Sequence, residues 1–236
     1  MLLNGSQVMN CQDNQTEVFI NSEADSWFER NFSQQVKKDR ESDLALQFLL
    51  KQNLDKQSII ELGCADGWRL AELKAAFNCS CTGIEPSSKA VEVGQQRYGN
   101  KINLLTGTAA ETGLDNDSAD IVIAGFCLYL CDRSELFKIA YEIDRILTDG
   151  GLLLIVDFMP PFAYKNPYHH KEGLSSYKMD YSQMFLWNPE YSMMCLEVAD
   201  LSNHIEGDNS PDTRVGLTVL KKSAEHSYPE SPFKGA

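Results

Sequence analysis

The sequence predicts an α/β protein built on a doubly wound sheet. Apolar runs of strand length alternate with helical patterns from residue 59 to residue 157, in the order strand, helix, strand, helix. Residues 120–126 are apolar at nearly every position, which is typical of a parallel strand that is covered on both faces. Two further strand-like runs follow near the C-terminus. We therefore expect about seven strands, five of them parallel and two forming a C-terminal antiparallel hairpin, with helices on both faces.

The region before the first predicted strand has two parts. Residues 1–21 are polar and rich in Asn, Gln and Ser, so we expect a flexible lead-in. From Ser22 the aromatic residues fall at a spacing near four, and a second apolar stripe occupies residues 44–50. Residues 22–57 are therefore predicted to form N-terminal cap helices.

The elements of the sheet domain, residues 58–222, follow in order. The five parallel strands are predicted at residues 59–62, 79–85, 102–105, 120–126 and 152–157. The helix before the fifth strand is expected to begin at the N-cap Asp132, with Glu135 as its capping-box partner, and to end at Gly150.

The C-terminal part adds an insert and a hairpin. Residues 158–193 form an aromatic-rich insert, in the place where substrate recognition is expected. The hairpin strands are predicted at residues 195–199 and 214–220, joined by a loop rich in Gly, Asp, Asn and Pro. Residues 223–236 form a C-terminal tail.

Composition narrows the range of partners and compartments. The 236 residues carry a formal net charge of −13, which disfavours binding to a phosphate backbone, so we expect no nucleic-acid partner. No run is apolar for the roughly 18 to 20 residues that span a bilayer, and the N-terminus lacks a signal-peptide pattern. The seven cysteines are an odd number, which fits reduced thiols in a cytoplasmic protein. We expect a monomer or a homodimer.

A glycine-bearing turn between the first strand and its helix carries the clearest functional signal. The motif reads Glu61, Gly63, Ala65 and Gly67, and such turns let a ligand approach the backbone closely. Read as a dinucleotide fingerprint, the motif would place Trp68 at the third glycine, where helix and strand pack too closely for a large side chain.

An acid at the end of the second predicted strand supports a nucleoside ligand. Glu85 lies 18 residues after Gly67, about where a carboxylate meets the hydroxyls of a ribose. Dinucleotides and other adenosine cofactors share this spacing, so it indicates adenosine without choosing between them.

Together these motifs resemble those of the class I S-adenosylmethionine-dependent methyltransferases of the bacterial small-molecule type. That family has an acid followed by three glycines at alternate positions, and Ala65 departs from the pattern at the middle one. The resemblance extends over residues 59–222. It implies a Rossmann-like fold, S-adenosylmethionine as cofactor and S-adenosylhomocysteine as product.

The resemblance also implies roles for the cofactor residues. Glu61 would hold the cofactor's amino group, Gly63, Ala65 and Gly67 would face its methionine and adenosine parts, and Glu85 would accept hydrogen bonds from the ribose. Thr108 stands where the family has an acid, so adenine would be held by backbone groups of Ala109 and Ala110. Further candidates are pocket residues near the sulfonium and covering residues of the cap helix, namely Gly125, Phe126, Trp27, Phe28 and Arg30. The alternative for Phe126 is packing in the core, and the alternative for Arg30 is exposure to solvent.

Catalytic and acceptor-binding residues are predicted mainly in the insert. His169 and His170 are the candidate bases, because histidine titrates near neutrality. Tyr129 is a candidate for the acceptor pocket. The tyrosines of the insert could build this pocket or hold the insert onto the sheet, and they are Tyr164, Tyr168, Tyr177 and Tyr181. Only Asp157 is available at the end of the fifth strand, so no metal is expected.

The sequence thus favours methyl transfer to an oxygen or nitrogen of a small-molecule acceptor, without a metal. Two alternatives remain open. One is an NAD-linked dehydrogenase or epimerase. The other is a non-catalytic protein that binds S-adenosylmethionine to organise a partner.

Overall fold

A seven-stranded sheet forms the centre of the protein. The computed structural model describes residues 15–32, 41–201, 211–225 and 227–233. The sheet has the order β3-β2-β1-β4-β5-β9-β8. Its strands are β1 (Ser58–Leu62), β2 (Ser80–Glu85), β3 (Asn103–Thr106), β4 (Ala119–Gly125), β5 (Leu147–Phe158), β8 (Tyr191–Asp200) and β9 (Arg214–Lys222). The first five are parallel, and β9 pairs antiparallel with both β5 and β8. The predicted sheet is confirmed.

Helices cover both faces of the sheet. The α-helices of the described residues are α1 (Gln15–Val18), α2 (Ala24–Phe32), α3 (Leu44–Leu49), α4 (Trp68–Ala76), α5 (Ser88–Tyr98), α6 (Leu136–Ile146) and α7 (Gln183–Leu186). Alternate strand residues serve opposite cores, as the period of a strand requires. In β4, Ile121 and Ile123 pack with α3 and α4, whereas Val122 and Ala124 pack with α6. None of these helices has the length and apolar composition that crossing a membrane would need.

The helix before β5 is shorter than its sequence suggests. Asp132 accepts a 2.8 Å hydrogen bond from the backbone N–H of Ser134, and it starts a 3-10 turn rather than a capping box with Glu135. The α-helix then ends at Ile146, four residues before the predicted end at Gly150. The chain turns extended at Leu147, because this fully buried side chain joins the sheet and pairs with Ala119 of β4.

The N-terminal segment is helical earlier than expected. Residues 15–21, assigned above to a flexible lead-in, form α1 and the start of a π-helical turn at Phe19–Glu23, whereas residues 1–14 lie outside the described residues. Gln15 explains the order at this point. Its side-chain amide donates to the carbonyl oxygens of Leu130 and Ser175, and its amide oxygen accepts from the N–H of Ser175.

The insert after β5 contains a second, small sheet. Strands β6 (Tyr164–Pro167) and β7 (Ser175–Lys178) pair antiparallel, and α7 follows them. Most of the predicted loop between β8 and β9, residues 202–210, lies outside the described residues. The hydrogen bonds between Gln15 and Ser175 join the N-terminal helices directly to the β6–β7 hairpin.

Candidate active site

A cleft lies at the edge of the sheet where the parallel strands end. It encloses about 820 Å³ of empty space, including the open solvent at its mouth. Its walls come from the loop after β1, the end of β2, the segments after β3 and β4, the start of α6 and the N-terminal helices. The lining residues are Thr16, Phe19, Ile20, Ala24, Trp27, Gly63, Glu85, Pro86, Thr108, Ala109, Ala110, Gly125, Phe126, Cys127, Leu130, Cys131, Glu135 and Ile139. This is the position at which open α/β sheets bind ligands.

The loop after β1 is shaped by close packing as well as by its dihedral angles. Gly63, Ala65 and Gly67 all have positive φ, at 71°, 49° and 77°. A Cβ at Gly63 would lie 2.6 Å from the Cβ of Cys127, and a Cβ at Gly67 would lie 2.7 Å from Ile102. Gly63 lines the cleft, whereas Ala65 and Gly67, which were also predicted to face the cofactor, do not. The single methyl group of Ala65 is accepted at its left-handed position.

Glu85 joins this loop to the end of β2. One carboxylate oxygen accepts a 2.9 Å hydrogen bond from the N–H of Ala65, and the other accepts a 3.0 Å bond from the N–H of Ser87. Burial raises the pKa of Glu85 to about 7, against the opposing effect of these two N–H groups. Glu85 still lines the cleft where a ribose is predicted to bind, and each carboxylate oxygen keeps a lone pair that these two hydrogen bonds do not use.

Glu61 belongs to a buried ion network and is not among the residues that line the cleft. Arg69 on α4 donates to Glu61 and also makes two hydrogen bonds with Asp43, at 3.0 and 2.7 Å. Burial raises the pKa of Glu61 to about 7, although Arg69 opposes this change. The Oε2 atom of Glu61 is fully buried and has no hydrogen-bond partner. Such an orphaned acceptor is costly unless a donor reaches it.

These features fit S-adenosylmethionine. The free Oε2 of Glu61 could accept from the cofactor's ammonium group, and Glu85 could accept from its ribose hydroxyls. Gly125, which lines the cleft, lies against the ion pair of Arg69 with Glu61, since a Cβ on Gly125 would be 3.0 Å from Nη1 of Arg69 and 3.5 Å from Oε1 of Glu61. A side chain at this position would press on the ion pair.

The remaining predicted cofactor residues divide into two groups. Ala109, Ala110, Gly125, Phe126 and Trp27 line the cleft. Phe126 adopts a φ of 50°, its N–H donates to the carbonyl oxygen of Val156 at 2.7 Å, and its ring meets the edge of Phe158. Phe28 instead packs beneath the cleft with Ala65 and Ala90.

Arg30 has partners within the protein. Its guanidinium donates to Glu23 and, at 3.1 Å, to the hydroxyl of Tyr168, which in turn donates to Glu23 at 3.0 Å. Arg30 is not among the residues that line the cleft. The group of three therefore ties the N-terminal helices to the β6–β7 hairpin, as Gln15 does at the other end of the same segment.

The remaining predicted tyrosines also contact protein groups, and none of them lines the cleft. Tyr129 packs its ring against Phe158, and Tyr164 donates to Asp212 at 2.7 Å. The ring of Tyr177 lies under Arg133, and the buried Tyr181 donates to the carbonyl oxygen of Tyr177. The contacts of Tyr164, Tyr177 and Tyr181 are of the kind expected if the tyrosines hold the insert in place, and the assignment of all four to the acceptor pocket stays a prediction.

His169 and His170 lie in the turn between β6 and β7. Both are exposed, and neither lines the cleft. The ring of His170 meets the edge of Tyr168 at 5.4 Å between centroids. Their assignment as bases stays a prediction, and this placement gives it no geometric support. Within the described residues, no group of three or more His, Cys, Asp or Glu side chains is arranged to hold a metal ion.

Sequence reasoning missed part of the lining. Thr16, Phe19 and Ile20 come from a segment that looked too polar to pack. Cys127, Leu130, Cys131, Glu135 and Ile139 follow β4, and the rule that parallel strands end at a common edge could have found the first three of them.

Comparisons with known proteins agree with this geometry. A family model described as a methyltransferase domain matches residues 59–151. A ubiquinone/menaquinone biosynthesis C-methyltransferase of Rubrivivax gelatinosus is 28% identical over 114 residues, covering 48% of this chain and 44% of the relative. A tRNA N(3)-methylcytidine methyltransferase of Schizosaccharomyces pombe is 26% identical over 120 residues, covering 47% and 39%. The chain thus spans less than half the length of these curated relatives.

A solved structure extends the likeness over more of the fold. It is a complex between the Haloferax volcanii Trm112 methyltransferase activator and a methyltransferase. The match has a TM-score of 0.68 at 18% identity and covers 88% of this chain and 99% of that one. The family match over residues 59–151, the sheet order and the fit of the cleft therefore agree, and together they support a class I S-adenosylmethionine-dependent methyltransferase.

Proposed function

We propose that this protein transfers a methyl group from S-adenosylmethionine to an oxygen or nitrogen of a small-molecule acceptor, without a metal ion. The observation that carries the proposal is the cleft itself, which the N-terminal helices cover from Thr16 to Trp27. A covered cleft of this kind suits a small ligand. The net charge of −13 also disfavours a polynucleotide acceptor.

The chain's own residues would act mainly by positioning. Bound S-adenosylmethionine supplies an activated methyl group, so the protein has to align the acceptor with it and exclude water. Glu85 would hold the ribose of the nucleoside part, and Glu61 would hold the amino group of the amino-acid part. Phe126 and Trp27 would close the walls. Asp157, the acid predicted at the end of the fifth strand, does not line the cleft, and its two oxygens accept from the N–H groups of Phe158 and Tyr129 at 2.7 and 3.2 Å.

Proton removal from the acceptor limits the choice of base. The thiols of Cys127 and Cys131 line the cleft, but burial raises the pKa of Cys131 to about 12 and that of Cys127 well above its ordinary value. Both thiols are therefore protonated near neutrality. Among the described residues, two carboxylates line the cleft. That of Glu85 accepts from the backbone N–H groups of Ala65 and Ser87, which leaves Glu135 as the candidate base.

Incubation with methyl-labelled S-adenosylmethionine tests the proposal. Purified protein would be given a small-molecule extract in one reaction and total tRNA in another, each with and without EDTA. We expect label in a small-molecule product, unchanged by EDTA. Label in tRNA, or a reaction abolished by EDTA and restored by a divalent metal, would contradict the proposal. Binding of S-adenosylhomocysteine without transfer to either fraction would favour the non-catalytic alternative.

A further inference from the structure

We propose that the acceptor is an apolar molecule that carries a cationic amine, and that Glu135 binds this amine and so determines specificity. The inference rests on the proposed function, because it assigns a substrate class to the same cleft. It concerns recognition, and leaves open which atom of the acceptor receives the methyl group.

Apolar side chains form most of the wall around Glu135. Phe19 and Ile20 come from the N-terminal helices, and Leu130 and Ile139 come from the segment after β4 and from α6. Leu130 and Ile139 are buried in the core, so this part of the wall is fixed. An apolar body of the acceptor would be desolvated here, and burial of apolar surface is favourable.

The charges that face the cleft are all of one sign. Among the lining residues in the described ranges, Glu85 and Glu135 are the two with a formal charge, and neither Lys nor Arg is present. Both oxygens of Glu85 already accept backbone N–H groups. A carboxylate on the acceptor would therefore find no cation to pair with, whereas an ammonium group would find Glu135.

Glu135 is held in place by its surroundings. It directly precedes the first residue of α6, where the partial positive charge of a helix N-terminus stabilises a carboxylate. The hydroxyl of Thr16 donates to its Oε2 atom, which fixes the side chain against the N-terminal helices. Its Oε1 atom receives no hydrogen bond within the described part of the chain, and remains able to accept one from a ligand.

The position of Glu135 separates it from the acid predicted to bind ribose. At one end of the N-terminal segment, Gln15 contacts Leu130 and Asp132. At the other end, Asp25 accepts a 2.6 Å hydrogen bond from Ser87, two residues after Glu85. Glu135 thus lies beneath the beginning of this segment and Glu85 beneath its end. We therefore assign the part of the cleft at Glu85 to the nucleoside and the part at Glu135 to the acceptor.

The test uses three ligands that differ in charge and share a phenyl group. The ligands are 2-phenylethylamine, 2-phenylethanol and phenylacetate, titrated by calorimetry into the protein saturated with S-adenosylhomocysteine. We expect the amine to bind most tightly and the acid least. Glu135→Gln should weaken amine binding about tenfold, since a charge-assisted hydrogen bond is lost, and should leave the alcohol unchanged. Glu92→Gln, an exposed helical substitution, is the matched control.

Each outcome has one meaning. Equal binding of the three ligands, preference for phenylacetate, or no binding of the amine by the wild-type protein would overturn the inference without any variant. A tenfold loss of S-adenosylhomocysteine affinity in Glu135→Gln would also overturn it, because Glu135 would then belong to the cofactor's part of the cleft. Failure of the wild-type protein to bind S-adenosylhomocysteine would instead overturn the proposed function.

Discussion

The backbone N–H of Ala65 donates a 2.9 Å hydrogen bond to the carboxylate of Glu85, which links the loop after β1 to the end of β2. The carboxylate is buried and also accepts from Ser87. The loop, the acid and the start of α5 are therefore held together by the protein's own hydrogen bonds. Such preorganisation lowers the cost of ordering a binding site.

The same burial makes stability depend on pH. The pKa of Glu85 rises from 4.5 to about 7 on folding, because burial disfavours its charged form. Protonation of Glu85 therefore stabilises the folded state. This stabilisation is fully present below pH 4.5 and is lost as the pH rises through about 7, which lowers the free energy of unfolding by about 3 kcal/mol. Asp157, whose pKa is also raised to about 7, acts in the same direction.

Urea denaturation at pH 5, 6, 7 and 8 measures this effect. We expect the free energy of unfolding to fall steadily over this range. Glu142 does not offset the fall, because its pKa is lowered to about 2 and it titrates below the window. A free energy of unfolding that rises between pH 5 and pH 8 would show that these carboxyl groups are not buried as described.

Replacement of Gly63 tests the close packing of the loop. In Gly63→Ala the new Cβ would lie 2.6 Å from that of Cys127, so we expect a loss of roughly 3 kcal/mol and weaker binding of S-adenosylhomocysteine. Gly113→Ala is the control, since Gly113 has nearly the same φ and open space around it. It should cost only about 1 kcal/mol.

A double variant identifies the contact responsible. Cys127→Gly removes the opposing Cβ, so its combination with Gly63→Ala should recover part of the lost stability in thermal or urea unfolding. Equal costs for Gly63→Ala and Gly113→Ala would mean that backbone strain alone accounts for the glycine.

Removing the cation of the Arg69 network should be strongly destabilising. Arg69→Met leaves the carboxylates of Glu61 and Asp43 buried without their cation, and such losses cost about 3 to 5 kcal/mol. Lys138→Met is the comparison, because the pair of Lys138 with Glu111 is exposed and should contribute under about 1 kcal/mol. Urea denaturation at pH 8 would compare them, and similar costs would contradict a buried network.

Replacement of the two insert histidines tests the hypothesis that one of them is the catalytic base. His169 and His170 are exposed in the hairpin turn and do not line the cleft, so His169→Ala and His170→Ala should keep the rate of methyl transfer within about twofold of wild type. A far larger fall in kcat for either variant would restore that histidine as a catalytic candidate. The assay would use the product found in the labelling experiment.

The sheet and much of the cofactor site could be predicted because they depend on local patterns. Runs such as residues 120–126 define buried strands through their own apolar character. The turn containing Gly63 and the position of Glu85 follow from spacing along the chain. The ends of helices were harder to predict. The helix before β5 ends early because Leu147 pairs with Ala119 of β4, and the sequence around Leu147 contains no sign of this pairing.

Contacts between distant segments explain what the sequence did not reveal. The polar residue Gln15 is buried because Leu130 and Ser175 supply its hydrogen bonds, more than a hundred residues away. Arg30 was expected to meet the cofactor, yet it pairs with Glu23 and Tyr168. Polar side chains have many possible partners, and only the tertiary fold selects among them.

Calorimetric titration with S-adenosylhomocysteine and, separately, with NAD tests the central claim most directly, with Glu85→Ala measured alongside. We expect micromolar binding of S-adenosylhomocysteine, no binding of NAD, and at least tenfold weaker binding in the variant, because both the ribose acceptor and the partner of Ala65 are lost. Binding of NAD alone, or S-adenosylhomocysteine binding that Glu85→Ala leaves unchanged, would contradict the account.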